Sequence, residues 1–534
     1  MSIHRSRIIR RFSLVAAFFC SLFFAVPLFS APDSPRVFTV AFYPETIEWN
    51  PLASYSASEA QLYTAVYEGL VTYNPSTLRP VPGVATRWDL SQDKKTYTFH
   101  LRSDARFWDG SIVTAAVFRD SWLKILDPAV KSPFSGLLDP IKGAAEFRSG
   151  ANKDPKNVGI SVIDDQTLSV ELSQPSAYFV QVLCHQALVP IHPALLQQKV
   201  WDEKTEIIGN GPFRFSKRTT DLVELVPAET YWDKSAVQLD KIELIFKDDA
   251  EGITERFNDG AIDWIESGAD YRELTDPYSF QMTPQFSTTF MYFSGDQAAY
   301  RNPLVRKGLA LMLPFDEIRS KEYFLVPSAQ LVPSIPYYPA VASLEKQDAG
   351  QGLKLLEQAG YTNGKGLPPI TLHFPKSDTW HRTALLMQQA WKNLDVKVII
   401  DESDAEDYFD TLKASQFTIA TISWVGDYAD PMTFLDLWSS TSSLNTSKFS
   451  STDFDKLLKD SNTEQGSARL KTLSKAEEYL LLNAQVLPIN HSPAFNVIDL
   501  SRVDGWFENP LNIHPFKYFQ FKALKPPRSI ALGL

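Results

Sequence analysis

An aspartate just past the carboxyl end of a strand and just before a helix stands where a ligand can reach it. Asp427 has this setting in the stretch 419–438, Ile-Ala-Thr-Ile-Ser-Trp-Val-Gly-Asp-Tyr-Ala-Asp-Pro-Met-Thr-Phe-Leu-Asp-Leu-Trp. The run from Phe417 to Trp424 alternates β-branched and aromatic residues and reads as a strand. Gly426 breaks it, and Asp430-Pro431 should restart the chain as a helix, an acid at the cap followed by proline. In open α/β sheets the crevice outside the strand ends is where ligands bind. The competing reading is that Asp427 only closes a turn, a common use of aspartate.

Other residues that could do chemistry are scattered. The sequence has no zincin helix motif and no Gly-x-Ser-x-Gly elbow. Gly360-Tyr-Thr-Asn-Gly364-Lys365-Gly366 resembles a phosphate loop only loosely, because its spacing is off by one and no Ser or Thr follows the lysine. Cys184-His185 with His192 matches no common metal-site spacing, so packing is expected there, with no metal and no cofactor. His373 and His381 fall at a strand and a helix start. Twelve tryptophans could line a sugar-stacking cleft, but aromatic core is their commoner use.

The elements that must position these residues alternate in type. Strands are expected at 37–42, 97–102, 213–215, 222–226, 242–246, 370–374, 396–400 and 486–490. Helices are expected at 58–70, after Thr114, at 303–313, 353–359, 381–394 and 467–482, and after a capping box of Ser403 with Glu406. From 370 onward the order strand–helix–strand–helix–strand predicts an α/β domain with parallel pairing. No repeat or low-complexity linker separates two halves, so any domains are joined by crossing segments or short hinges.

The chain starts with Arg5, Arg7, Arg10 and Arg11 before an apolar run at 14–30, which reads as a secretory leader over 1–31. The alternatives are an uncut N-terminal anchor, for which 17 residues with an internal proline is short, and a lipid anchor on Cys20. Without the leader's arginines, 48 basic face 63 acidic side chains, a net charge of −15 that argues against a nucleic-acid partner. Only Cys184 then remains, so no intrachain disulfide can form. Core burial must hold the fold, and 44% hydrophobic content over 534 residues is ample for two or more domains.

Several short motifs occur in a telling order: Tyr67-Glu68-Gly69-Leu70, Pro82-Gly83-Val84-Ala85, Tyr97 to Arg102, Asp109-Gly110, Ser121-Trp122, Asp127-Pro128, Gly209-Asn210-Gly211-Pro212, Tyr231-Trp232, and Trp424 with Asp427-Tyr428, Asp430-Pro431 and Phe434-Leu435. In this order the chain resembles the periplasmic oligopeptide- and dipeptide-binding proteins, a class of extracytoplasmic solute-binding proteins. The resemblance implies a periplasmic-binding-protein-like α/β fold of two hinged lobes with an extra third domain, with mixed β-sheets flanked by helices. Lobe I would comprise 32–72, 206–295 and 505–534, domain II 73–205, and lobe III 296–504.

The resemblance also implies a function. The protein would be a non-enzymatic, monomeric periplasmic receptor that captures short peptides with a free amino terminus and hands them to the membrane permease of an ABC importer. It places the ligand's α-amino group on Asp427 and its extended backbone along Ser423, Trp424, Val425 and Gly426, with a second pairing segment at about Ser58. Thr421 and Leu412 stand where some members carry arginines, and Trp380 where a histidine is found. Lys413 and His381 are the neighbours that would anchor the ligand's carboxylate instead. Val425 replaces a cysteine, and Leu137 a tyrosine near the ligand. The alternatives are another solute on the same fold (a nickel complex, a sugar or a cell-wall peptide) or a periplasmic chaperone.

Overall fold

Val37–Phe42 is apolar at five of its six positions and almost wholly buried, as expected of a strand covered on both faces. It lies inside a seven-stranded mixed sheet. The order is Phe280–Pro284, Pro493–Ile498, Trp264–Ile265, Val37–Phe42, Lys241–Phe246, Leu222–Pro227 and Phe213–Arg218. The central strand runs parallel to both its neighbours, and the other pairs are antiparallel. The computed structural model describes residues 35–522 apart from 44, 45, 55, 199, 320–324 and 443, and it leaves the side chains of 405, 406, 409, 410 and 413 undescribed. The expected leader with Cys20 lies outside this range.

A second mixed sheet has six strands, in the order Val326–Pro327, Val486–His491, Ser287–Phe293, Ile419–Val425, Ile370–Pro375 and Val398–Ser403. The last three are parallel, as the strand–helix–strand order predicts, and the others are antiparallel. A third sheet, Ala85–Leu90, Thr96–Leu101, Thr167–Glu171 and Ile160–Asp164, is antiparallel throughout. Among the described residues no helix is long and apolar enough to cross a membrane.

Two adjacent ribbons carry the chain between the larger sheets. Residues 285–286 separate Phe280–Pro284 from Ser287–Phe293, and Ser492 alone separates Val486–His491 from Pro493–Ile498. The sequence-based boundaries at 295 and 504 therefore fall beyond the crossings. Ser287–Phe293 belongs to the six-stranded sheet and Pro493–Ile498 to the seven-stranded one. Each ribbon is nearly continuous β-structure with no glycine at the crossing, so no local signal marks the change of sheet. Other elements are displaced as well, among them three helices. The helix expected at 381–394 is Asp378–Ala390, capped by Ser377. The helix expected to begin at Ser403 begins at Ala405, with Asp404 at the cap. The helix expected at 58–70 is Ala57–Val66 and stops where the chain turns extended at Tyr67.

The motifs that carried the resemblance meet in space. Glu68 is 6% exposed and accepts from the Tyr231 hydroxyl at 2.6 Å and the Trp232 indole at 2.5 Å. The Asn210 carboxamide brackets its backbone at 3.0 and 2.8 Å. A side chain at Gly209 or Gly211 would collide with the backbone of 65–67, which explains both glycines. Lys517 closes the knot from the C-terminal segment, 2.8 Å from Asp233, 3.0 Å from the Tyr231 hydroxyl and 3.8 Å from Glu68. Burial raises the Glu68 carboxyl, and Lys517 is the largest influence pulling it back down. Beside it, Phe516 and Phe519 pack on Phe38 and Trp264 with ring centres 5.2–6.3 Å apart.

Removing one partner of a buried pair costs about 3–5 kcal/mol, because the other charge is left uncompensated. Lys517→Ala should therefore lose about that much stability in urea denaturation. A double change to Glu68→Gln and Lys517→Met should recover part of it. A loss under about 1 kcal/mol for Lys517→Ala would remove the knot from the forces that hold the C-terminal segment.

Candidate functional site

The strand Ile419–Val425 is paired along its whole length with Ser287–Phe293 on one side. On the other side it pairs with Ile370–Pro375 only at Ile419 and Ala420. Beyond that point the Tyr408 hydroxyl takes the place of a neighbouring strand, donating to the Thr421 carbonyl at 2.6 Å and accepting from its N–H at 3.1 Å. Backbone groups alternate sides along a strand. Thr421 faces the open side, and Gly426 N–H donates inward to the Phe286 carbonyl at 2.8 Å. Ser423 and Val425 therefore present their N–H and C=O groups on the open edge. Both are exposed, Val425 at 40%. The Ser423 hydroxyl shares a hydrogen bond with Thr289 at 2.7 Å. Trp424 is half-buried, and its indole N–H has no partner among the described residues.

Gly426 allows the strand to turn. A Cβ there would lie 2.7 Å from the Phe286 ring and 2.9 Å from the Thr433 methyl. The loop that follows is clamped. Asp427 N–H donates to the Thr433 hydroxyl at 3.0 Å. Asp430 accepts from Met432 N–H at 3.0 Å and from Arg469 through two bonds of 2.7 and 2.8 Å, with both charged residues under 9% exposed. Asp430 thus works partly as the sequence suggests, satisfying a helix-start donor, but the helical turn Met432–Leu435 is short and its cap residue is Pro431.

Within this clamp the Asp427 carboxylate is left alone. No hydrogen bond or ion pair reaches it from the described residues, and burial, the one cause of its shift, pushes it up to about 7. It opens on a cavity of 400 Å³. One wall of this cavity comes from 133–182 and the other from 427–462. Tyr178 of the first wall stacks on Tyr428 of the second, with ring centres 5.4 Å apart and planes 5° from parallel. The Arg469 guanidinium lies 5.6 Å from the Tyr178 ring.

The structure thus brings Ser423, Trp424, Val425, Gly426 and Asp427 into one edge and corner. Ser58 does not fit the role given to it. It sits in the first turn of the helix Ala57–Val66, behind the capping box of Ser56 and Glu59, and a helical residue offers no strand edge. His381 is half-exposed and engaged with Glu402 at 3.1 Å. The Lys413 side chain lies outside the described residues. Leu412 is core, 2% exposed, and Thr421 is buried with its hydroxyl on the Phe290 carbonyl at 3.0 Å. Leu137 lines the cavity. Cys184-His185 and His192 form no cluster. His185 caps the turn at 186–188, and His192 faces Asp109 at 3.2 Å. Sequence reasoning missed Tyr408, Tyr178 and Asp436. Asp436 lies inside the stretch singled out, but helical spacing gave no sign that it faces a cavity.

Residues 79–446 match the family model of bacterial extracellular solute-binding proteins, family 5. The periplasmic murein peptide-binding protein MppA of Escherichia coli is 31% identical over 465 residues, covering 83% of this chain and 86% of its own. The dipeptide-binding protein DppE of Bacillus subtilis is 28% identical, over 89% and 90% of the two chains. The solved structure of the Escherichia coli murein tripeptide binding protein MppA superposes with a TM-score of 0.77 at 28% identity, over 92% of this chain and 99% of that one. The periplasmic-binding-protein-like fold expected from the motifs is the fold observed.

A carboxyl raised from 3.8 to about 7 keeps its proton in the folded state where the unfolded state has lost it. The folded protein therefore loses stability as pH rises from about 4 to about 7, and the deficit is constant above that. An asparagine carries no such deficit. In the ligand-free protein, Asp427→Asn should match wild type near pH 4 and exceed it near pH 8 by on the order of 2–4 kcal/mol, at about 1.36 kcal/mol per unit. Melts at the two pH values check this, and an equal difference at both would mean that the carboxylate is compensated.

Proposed function

Because the chain belongs to family 5 of the bacterial extracellular solute-binding proteins, we propose that it is an extracytoplasmic receptor that captures short peptides with a free amino terminus and delivers them to the permease of an ABC importer. The observation that carries this reading is the pairing of an open strand edge with a lone, largely desolvated carboxylate at its end. A peptide laid along Ser423 and Val425 gains main-chain hydrogen bonds that ignore its sequence. Its α-ammonium, charged below a pKa of about 8, then meets Asp427 in a charge-assisted bond. The half-buried Trp424 and the turn at Gly426 shape the corner between the two. Relatives named for murein peptides and dipeptides favour the same class of ligand.

In this reading the seven-stranded sheet is the core of lobe I, the antiparallel sheet that of domain II, and the six-stranded sheet that of lobe III. Closure turns about 285–286 and Ser492, where the two ribbons cross. The chain hydrolyses nothing. A second reading, a cell-wall peptide on the same fold, is favoured by the murein peptide-binding relative, whereas a nickel complex or a sugar has no specific observation in its favour.

Two measurements test the peptide reading. Asp427→Ala should weaken binding of Ala-Ala-Ala by about 2–5 kcal/mol in titration calorimetry, and acetylating the peptide's amino terminus should do the same to wild type. Unchanged affinity in both would sink the role of Asp427. With the free carboxyl at about 7, an ammonium must displace a proton to bind below that pH. Affinity should climb about tenfold per unit from pH 5 to 7 and fall above about 8 as the ligand's amine deprotonates. A flat profile from pH 5 to 7 would show that the carboxylate is already ionised in the free protein.

A further inference from the structure

The cavity beside Asp427 contains more negative charge than a single amino terminus requires. Among the described residues its lining has the carboxylates of Asp139, Asp427, Asp436 and Asp455 against one ammonium, Lys459, which is exposed on the helix Thr452–Ser461. Two of the four acids are occupied. Arg148 holds Asp139 through two bonds of 2.8 and 2.6 Å. Asp455 accepts from the Ser440 N–H at 3.0 Å and its hydroxyl at 2.6 Å. Asp427 and Asp436 remain, and neither carboxylate has a hydrogen-bond donor among the described residues.

Asp436 opens the single helical turn Asp436–Trp438 and is pushed up to about 7, first by burial and then by the neighbouring charge of Asp139. A third group points the same way by a different route. Asn462 lines the same cavity, is 9% exposed, and its carboxamide oxygen has no donor. A buried acceptor without a donor is rare in folded proteins and costly, and with two partly exposed carboxylates that no donor reaches beside it, the Asn462 carboxamide calls for a ligand rich in N–H groups. At 400 Å³ the space is of ligand-site size and can hold one long side chain.

We infer that Asp436, with Asn462, makes this cavity a receptor for a second cation on the ligand, so that the preferred peptides begin with a residue bearing a basic side chain (lysine, arginine or another diamino acid). This rests on the peptide reading above: the α-ammonium sits on Asp427 and the side-chain cation on Asp436. Asp139 and Asp455 stay with their own partners and add long-range attraction.

The test compares Lys-Ala-Ala with norleucine-Ala-Ala, which has nearly the same shape without the charge, by titration calorimetry at pH 7.5. Wild type should bind the lysine peptide at least about tenfold more tightly, the scale of one charge-assisted hydrogen bond. Asp436→Asn should bring the ratio close to one. Equal affinities on wild type overturn the inference whatever the variant does, and so does a ratio that survives Asp436→Asn. If that variant does not fold, Asn462→Leu replaces it, and an unchanged ratio there is equally decisive against. These failures leave the peptide reading standing. If neither peptide binds a folded wild-type protein, it is the peptide reading that fails, and the assignment of Asp436 falls with it.

Discussion

The site depends on a charge that the protein does not neutralise. Taking a carboxylate out of water costs several kcal/mol unless a cation or a set of donors replaces the lost hydration. Asp430, three residues from Asp427, shows the ordinary solution, since Arg469 grips it through two bonds. Asp427 gets no such partner, and its carboxyl is raised to about 7 in consequence. The difference between these two aspartates is a difference in what each is for. Asp430 fixes the loop, and in the proposed reading the cost of Asp427 is left for a ligand to offset. A binding site built this way is weakest when empty, and its occupant gains the desolvation that the fold has already undergone.

The open strand edge obeys the same logic with backbone groups in place of charge. An exposed edge is a template for unwanted pairing. Here it is only a few residues long, because the Tyr408 hydroxyl satisfies Thr421 and Gly426 turns back onto Phe286. Ser423 and Val425 are what is left, enough for an extended segment to add a few main-chain bonds and too short to nucleate a sheet between molecules. Recognition through the backbone is indifferent to side chains, so any preference must come from the cavity beyond the edge. The charged and carboxamide groups of that cavity matter for this reason.

Much of the fold was legible because burial periodicity was strong. Val37–Phe42 and Ile419–Val425 are both found within two residues of where the apolar and β-branched pattern put them. The motif pieces behind the resemblance are largely structural. Glu68, Asn210, Tyr231 and Trp232 tie one knot, and the neighbouring glycines serve close backbone approach. Asp427 was visible because a single position joined a strand end to a helix start. Ser58 lies in a helix, so the pairing role that the resemblance implies for it has no strand edge to act through. The pair Ser56 and Glu59 is a capping box, and it puts the residues between them in a helix. Asp436 and Asn462 were invisible for a physical reason. Which face of a short helical turn meets a cavity is set by the wall opposite, contributed by 133–182, and no periodicity in 427–462 encodes it. The change of sheet at Ser492 was hidden in the same way, since a strand that continues straight from one sheet into another has the composition of one strand.

In the proposed reading, the two walls of the cavity would couple capture to shape. Asp427, Asp436 and Asn462 stand on one wall, and Leu137, Asp139 and Tyr178 on the other. A ligand can shift a conformational equilibrium only by the difference in its affinity for the two states. A peptide touching one wall alone would bind an open and a closed form equally well and would report nothing. Contacts to both walls exist only when they are together. The Tyr178–Tyr428 stack already spans them without a ligand, and such an aromatic pair is worth about 0.5–1.5 kcal/mol. That is enough to bias closure, but closure also brings the Asp139 carboxylate, which Arg148 holds, near the unpaired Asp436. Asp139 faces Asp436 across the gap and raises it. Closure without a cation gathers negative charge, whereas closure around one disperses it, so the sign of the charge in the cavity, more than its volume, distinguishes a filled receptor from an empty one.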